Sequence, residues 1–424
     1  MAISINRIEI SHGVFLNAVI NDKYKTNYLS LFFLNKLTQK SAAATTVLSR
    51  VLMQGTKEHP DKRSYASALE DAYGAQVYTD VSKLGETQLL CVGVNWLKDK
   101  YAMKGESVTK KALSLCLETA FLPNVSDGAF MSDVVKREKM NAVDDVLSLI
   151  NNKAAYAKIR LKEIMCKDEA YSISPLGKTE EIKKLTGKKL FGFYNKMMKE
   201  SPVEIFFAGQ ADLDTLTGML KDAFSSVERD VCAAPKTKII KSVSEAKEAN
   251  ETMPINQASL VMGYRTGITY TSKNYHAAAL YNAILGGSLT SKLFMNVREK
   301  LSLCYTVSSA FDFNKGIMQI YSGIDLKNRE KAKDEIFFQI DEIKKGNISE
   351  REMLDAKAAI INAINSLEDT PSAMASYFLP RILSGKAIDL EADKEKFISL
   401  TKKDVMNVSK YVFLDTVYTL SAGE

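Results

Sequence analysis

Apolar positions crowd 14–20 and 24–34, rich in β-branched and aromatic residues on either side of the turn-forming pair Asn21-Asp22, so these two stretches read as a β-hairpin. The apolar period is then that of a helix over 41–53, and again over 64–73, where Gly74 stops it. Alternation marks 76–82 and 87–94, around Gly85. Helical stretches over 108–121 and 128–151, and shorter helical pieces to about residue 199, lead to an apolar strand at 203–208 that closes the first half.

The second half repeats this order. Its helix over 275–285 is broken by Gly286 and Gly287, which permit a turn or a close backbone approach, and a second amphipathic helix begins near Leu289. A strand follows whose alternation puts Tyr305, Val307, Ser309, Phe311 and Phe313 on one face. Arg298, near the helix end, and Tyr305, at the strand start, flank one short turn. Pieces of the repeat are legible directly. Gly93-Val-Asn-Trp-Leu-Lys-Asp99 matches Gly323-Ile-Asp-Leu-Lys-Asn328, and Asn124-Val-Ser-Asp127 matches Asn347-Ile-Ser-Glu350, with Ser126 and Ser349 placed as helix N-caps. Ala208-Gly209 matches Ala422-Gly423. The matches keep their order while their offset drifts, as expected for two diverged copies. The fold class expected is therefore α+β, a tandem duplication of one module in which helices pack on an antiparallel sheet. The expected domains are 1–228 and 255–424, joined by an exposed polar linker over 229–254.

The run Arg298-Glu-Lys-Leu-Ser-Leu-Cys-Tyr305 resembles the C-terminal signature Arg-Glu-Lys-x-Gly-Leu-x-Tyr of the insulinase and mitochondrial-processing-peptidase family of zinc peptidases, with Ser302 where the family usually has Gly. Taken alone, the pair reads as a helix-end arginine and a half-buried strand tyrosine; the surrounding match favours a functional role. In the family these side chains reach toward substrate held at a zinc site in another lobe. A guanidinium and a phenol O–H are donors suited to a peptide carbonyl that gains negative charge on attack. The family's glycine-bearing loop, here Gly286 and Gly287, lies near the entrance of its chamber.

The resemblance runs over nearly the whole chain. The family's inverted zincin pattern, His-Phe-Leu-Glu-His-Met-Leu-Phe-x-Gly-Thr, aligns without gaps to Thr46-Val-Leu-Ser-Arg-Val-Leu-Met-Gln-Gly-Thr56. Thr46, Ser49 and Arg50 thus stand at the positions of first ligand, base and second ligand. A threonine hydroxyl is a poor zinc ligand, serine is a weak base near neutral pH, and a guanidinium repels a dication. The third ligand falls near Glu138 or Asp145, and the sequence does not choose between them. The three histidines, His12, His59 and His276, include no pair at ligand spacing. No metal is therefore expected on this chain.

Composition adds limits. Lys and Arg outnumber Asp and Glu by only 57 to 51, a mild excess that argues against a dedicated nucleic-acid binder. The densest basic run, Lys183, Lys184, Lys188, Lys189, Lys196 and Lys199, reads as a solvated helix face. Cys91, Cys116, Cys166, Cys232 and Cys304 are widely spaced and suit neither a disulfide framework nor a thiolate metal site. The polar start of the chain reads as no signal peptide and no window approaches a membrane span, so the expectation is a cytoplasmic protein without membrane or nucleic-acid partners.

The resemblance implies a half-enzyme: a non-catalytic, YmfF-like bacterial subunit whose Arg298 and Tyr305 serve a zinc site on a homologous, His-x-x-Glu-His-bearing, YmfH-like partner, with a peptide as substrate. The alternative is an inactive peptide-binding or scaffold protein, as a homodimer, that adds extended segments to a sheet edge. A self-sufficient hydrolase is disfavoured, since Gly-Gly-Ser288 lacks the Gly-x-Ser-x-Gly frame, and no phosphate loop or dinucleotide fingerprint is present.

Overall fold

Each half of the chain builds one mixed sheet in the computed structural model, which describes residues 5–422; Gly423 lies outside the described residues. In the first half, β1 (Asn6–Ser11), β2 (Val14–Ile20), β3 (Thr26–Lys36), β4 (Gln76–Leu84) and β5 (Thr87–Leu97) are followed by a mini-hairpin of β6 (Val125–Ser126) and β7 (Ala129–Phe130), and then by β8 (Val203–Gly209). The six-stranded sheet has the order β1-β2-β8-β3-β5-β4. In the second half, β9 (Lys247–Thr252), β10 (Ala258–Arg265), β11 (Cys304–Asp312), β12 (Ile317–Ile324) and β13 (Phe413–Ser421) form a five-stranded sheet of order β11-β12-β10-β13-β9.

Read from opposite ends, the two orders are the same, β1 being the one addition. The strand types agree as well: β8 runs parallel to β2 and antiparallel to β3, as β13 runs parallel to β9 and antiparallel to β10. The fold is a mixed α and β architecture consistent with a duplicated module.

Three local expectations are corrected. β2 and β3 are not a hairpin, because β8 inserts between them. Every residue of β8 is buried, and a strand apolar along its whole length belongs in the middle of a sheet rather than at its margin. Ser126 is not an N-cap: Asp127 and Gly128, at φ 50° and 71°, make the turn of the β6–β7 hairpin, and the helix starts later, at Ser132–Ser148. Ser349 does cap the helix Glu350–Asn365, in a reciprocal box with Glu352. Finally, the polar segment read as linker through 254 contains β9, whose Lys-Glu-Ala-Asn-Glu-Thr alternation is that of an exposed, charged edge strand.

The halves are cross-braced. The helix Lys153–Met165, from the first half, lies on β10 and β13, where Ala157 and Leu161 pack with Val261, Tyr418 and Leu420. A side chain at Gly263 would come within 2.6 Å of Met165 Sδ, so glycine lets this helix seat closely. In exchange, the helix Pro371–Ser384 lies on β8 and β3, with Phe378 against Phe206 at 6.0 Å between ring centroids. Between these contacts sits a buried charge cluster. Arg265 donates to Asp415 (2.8 Å), to Glu169 (2.7 Å) and to the Met165 carbonyl (2.8 Å). Lys315 pairs with Glu169 (2.7 Å) and with Glu86. Glu86 and Glu169 come from the first half, and Arg265, Lys315 and Asp415 from the second.

Candidate functional site

The helix Gln39–Leu52 starts at Thr38, whose hydroxyl accepts from Ser41 N in a capping box, and packs against β4, β5 and the helix Ser132–Ser148. That packing fixes the positions of Thr46, Ser49 and Arg50. Thr46, Ser49, Arg50, Glu138 and Asp145 all line one hollow of about 380 Å³, completed by Thr79, Asp80 and Val81 of β4.

Inside this hollow the hydroxyls are turned to the backbone. Ser49 Oγ donates to the Thr46 carbonyl (2.9 Å), and Thr46 Oγ1 to that of Pro175 (3.4 Å). The Arg50 guanidinium stands between the two acids that the sequence left as alternatives: it pairs with Asp145 and lies 4.0 Å from Glu138. Glu138 is buried, at 4% side-chain exposure, and also accepts from Arg137 Nε (3.0 Å) and Asn141 Nδ2 (3.0 Å). The residues do not fit a zinc ion, since the two carboxylates already face a fixed cation and the remaining oxygens are hydroxyls. Among the described residues no group of three or more His, Cys, Asp or Glu side chains is placed to hold a metal. His59 hydrogen-bonds Glu118 (2.9 Å) and His276 hydrogen-bonds Asp393 (2.6 Å), each a single pairing.

The C-terminal pair lies elsewhere, and neither Arg298 nor Tyr305 lines this hollow. Leu293–Lys300 is π-helical: Leu301 N–H reaches the Asn296 carbonyl five residues back, at 3.1 Å. Such wide turns recur at functional sites. Arg298 emerges near its end, 42% exposed, with its guanidinium 4.6 Å from the centre of the Phe294 ring. Ser302 then takes φ 51°, the left-handed conformation for which the family pattern has glycine.

Strand β11 corrects the expected face. Its pairing with β12 slips between Cys304 and Thr306, so Tyr305 is the extra residue of a β-bulge. Val307 and Ser309 point into the core, whereas Tyr305 is 60% exposed; Phe313 lies past the strand end. The Tyr305 hydroxyl donates to Asp325 (3.0 Å) at the end of β12. This hydrogen bond, and then the carboxylate charge, raises the phenol pKa above its ordinary value, so Tyr305 stays a proton donor at neutral pH. Gly286 sits beneath the strand: its carbonyl accepts from Ser309 N (3.0 Å), and a Cβ there would lie 2.7 Å from that nitrogen. Gly287 is similarly closed against Asn282, at 2.8 Å. Both glycines therefore permit close backbone approach. Asp325 and the bulge were missed from sequence, because alternation counts residues and a bulge inserts one.

The sequence profile described as "Peptidase M16 inactive domain" matches residues 184–360. The chain is 29% identical to the "Probable inactive metalloprotease YmfF" of Bacillus subtilis (strain 168), over 99% of each chain. It superposes with a TM-score of 0.90 on the crystal structure of a conserved protein from Enterococcus faecalis V583, at 27% identity and 99% coverage of both chains. A structure titled as the peptidase M16 inactive domain from Pseudomonas fluorescens shares the fold at a TM-score of 0.83 and 18% identity, over 99% of this chain and 98% of that one. Over its whole length the chain is thus similar to an inactive, YmfF-like homologue of the M16 peptidases, and residues 184–360 match that family's inactive-domain profile.

Proposed function

We propose that this chain is the non-catalytic, substrate-binding subunit of a heterodimeric zinc peptidase, presenting Arg298 and Tyr305 to a zinc site carried by a His-x-x-Glu-His homologue. The observation that carries this reading is the bulge at Tyr305. It turns a large phenol outward from a strand whose Cys304, Val307 and Ser309 are buried, a few residues after an exposed arginine at the end of the preceding helix. A side chain with a merely packing role would gain nothing from that exposure. Two outward donors suit the developing charge on a peptide carbonyl held by another subunit.

The test is hydrolysis of an internally quenched peptide by this chain alone, by the metal-bearing homologue alone, and by an equimolar mixture. Activity confined to the mixture, removed by chelator and restored by zinc, is expected. In that mixture Tyr305→Phe lowers turnover about a hundredfold, the usual loss for one oxyanion donor, with zinc content unchanged. Equal turnover by the variant removes the role given to Tyr305.

A second reading, peptide capture without cleavage, is favoured by β4. It is the outer strand of its sheet and borders the hollow at Thr79, Asp80 and Val81, so an extended segment added there would pass over Arg50. Peptide binding without association with any metal-bearing homologue, and without turnover, is the outcome this reading predicts.

A further inference from the structure

The basic run of the sequence does not all face solvent on one helix. Lys184, Lys189 and Lys196 turn into a cleft of about 1180 Å³, and Lys36, Lys40 and Lys236 meet them there from two other segments. The cleft lies between the start of the helix Gln39–Leu52, the helix Gly187–Glu200 and the interdomain segment over 232–236. That segment is a fixed wall: Cys232 N–H bonds the Glu200 carbonyl (2.9 Å), the Pro235 carbonyl accepts from Thr87 Oγ1 (3.2 Å), and Thr237 Oγ1 accepts from Glu86 N (3.0 Å).

The charge in the cleft does not cancel. Its three acids are matched already, Glu86 by the buried Lys315, Glu181 by Lys184 and Glu200 by Lys196. Lys36, Lys40, Lys189 and Lys236 line the cleft without an ion pair among the described residues. Beneath them the surface is apolar, formed by Leu34, Ala44, Phe193, Met197, Pro202 and Pro235.

We propose that this cleft binds an acidic, extended peptide segment, at a place separate from the Arg298–Tyr305 turn and from the Arg50 hollow. Size and chemistry favour a peptide over a phosphate-bearing small molecule. The volume lies at or above the ~300–1,000 Å³ typical of small-ligand sites. The cations are lysines, flexible point charges spread along a rim, with no arginine fork among them to grip a phosphate through two bonds. The apolar floor takes the uncharged side chains of an alternating segment, while its carboxylates meet the ammonium groups above. This proposal goes beyond the heterodimer reading and does not depend on it.

Cys232 gives the test its handle, being the exposed cysteine in this cleft while Cys91, Cys116, Cys166 and Cys304 are buried. The probe is an alternating Glu-Leu peptide of about twelve residues, ~40 Å long when extended. It is expected to slow maleimide alkylation of Cys232 in the unmodified protein, and to bind in fluorescence anisotropy with an affinity that falls about tenfold or more as salt rises from ~50 mM to ~500 mM. The pair Lys36→Glu and Lys236→Glu weakens binding at least about tenfold. The pair Lys183→Glu and Lys188→Glu makes the same net charge change outside the cleft and leaves it unaltered. Equal losses from both pairs, or equal binding of a Lys-Leu peptide, overturn the proposal. Displacement of the peptide by ATP or tripolyphosphate at matching concentration also overturns it, by assigning the cleft to a small anion.

Discussion

Arg50 holds a positive charge between two carboxylates, Glu138 and Asp145. The electrostatic demand of the acids is thus met by the chain itself. Glu138, the more buried of the two, depends on that charge together with Arg137 and Asn141. Arg50→Ala is expected to lower stability by about 1–3 kcal/mol, the range for stripping a partner from a buried charged group. Since Arg50 and Asp145 are partly solvated, most of that loss belongs to Glu138. Denaturant titration with an unchanged slope checks it, and a loss below about 0.5 kcal/mol would show that Arg137 and Asn141 suffice. That Thr46, Ser49 and Arg50 share one helix was legible in sequence, because the period of that helix is fixed by its apolar pattern. The choice between Glu138 and Asp145 was not legible, since it depends on how two helices pack, and the structure answers that Arg50 faces both.

Among the elements, the turn from Arg298 to Tyr305 joins three departures from regularity: a π-helical end, a left-handed Ser302 and a bulged Tyr305. A left-handed conformation costs an L-residue about 1–2 kcal/mol, part of which a glycine returns as unfolded-state entropy. Ser302→Gly is therefore expected to stabilise the chain by about 0.5–1 kcal/mol, read as a higher Tm; a lower Tm would mean that the serine side chain makes a contact worth more than the strain. The missing family glycine was visible in the sequence, but the bulge was not. Two other elements were misread for physical reasons. β8 pairs with strands almost two hundred residues earlier, a contact no local pattern reports, and β9 reads as linker because edge strands are polar.

At the scale of the molecule, Glu169 ties the halves together through Arg265 and Lys315. Burial alone would raise its carboxyl pKa, yet the hydrogen bonds from Arg265 and Lys315 hold it below the ordinary range. The native pKa is depressed, so the associated stability is present above the usual value of ~4.3 and is lost as pH falls through the lower native value. Glu169→Gln is expected to cost about 3–5 kcal/mol at neutral pH, by leaving buried cations undercompensated. Its stability should then decline less steeply than that of the parent between about pH 5 and pH 3. Parallel curves would assign the acid sensitivity to other carboxylates. The duplication was legible because its matched fragments keep their order, whereas the cross-bracing is not written in either copy alone.

That exchange of helices has a consequence for how such a chain can be divided. Neither copy covers both faces of its own sheet, so a single copy with this architecture would leave an apolar face bare until a second copy lent its helix. The covalent join adds proximity to a pair already interlocked. Cleaving the exposed stretch 242–246 should accordingly yield two fragments that travel as one species in gel filtration and separate only in denaturant. Fragments that part in buffer would mean that the tether, rather than the borrowed helices, keeps the copies together.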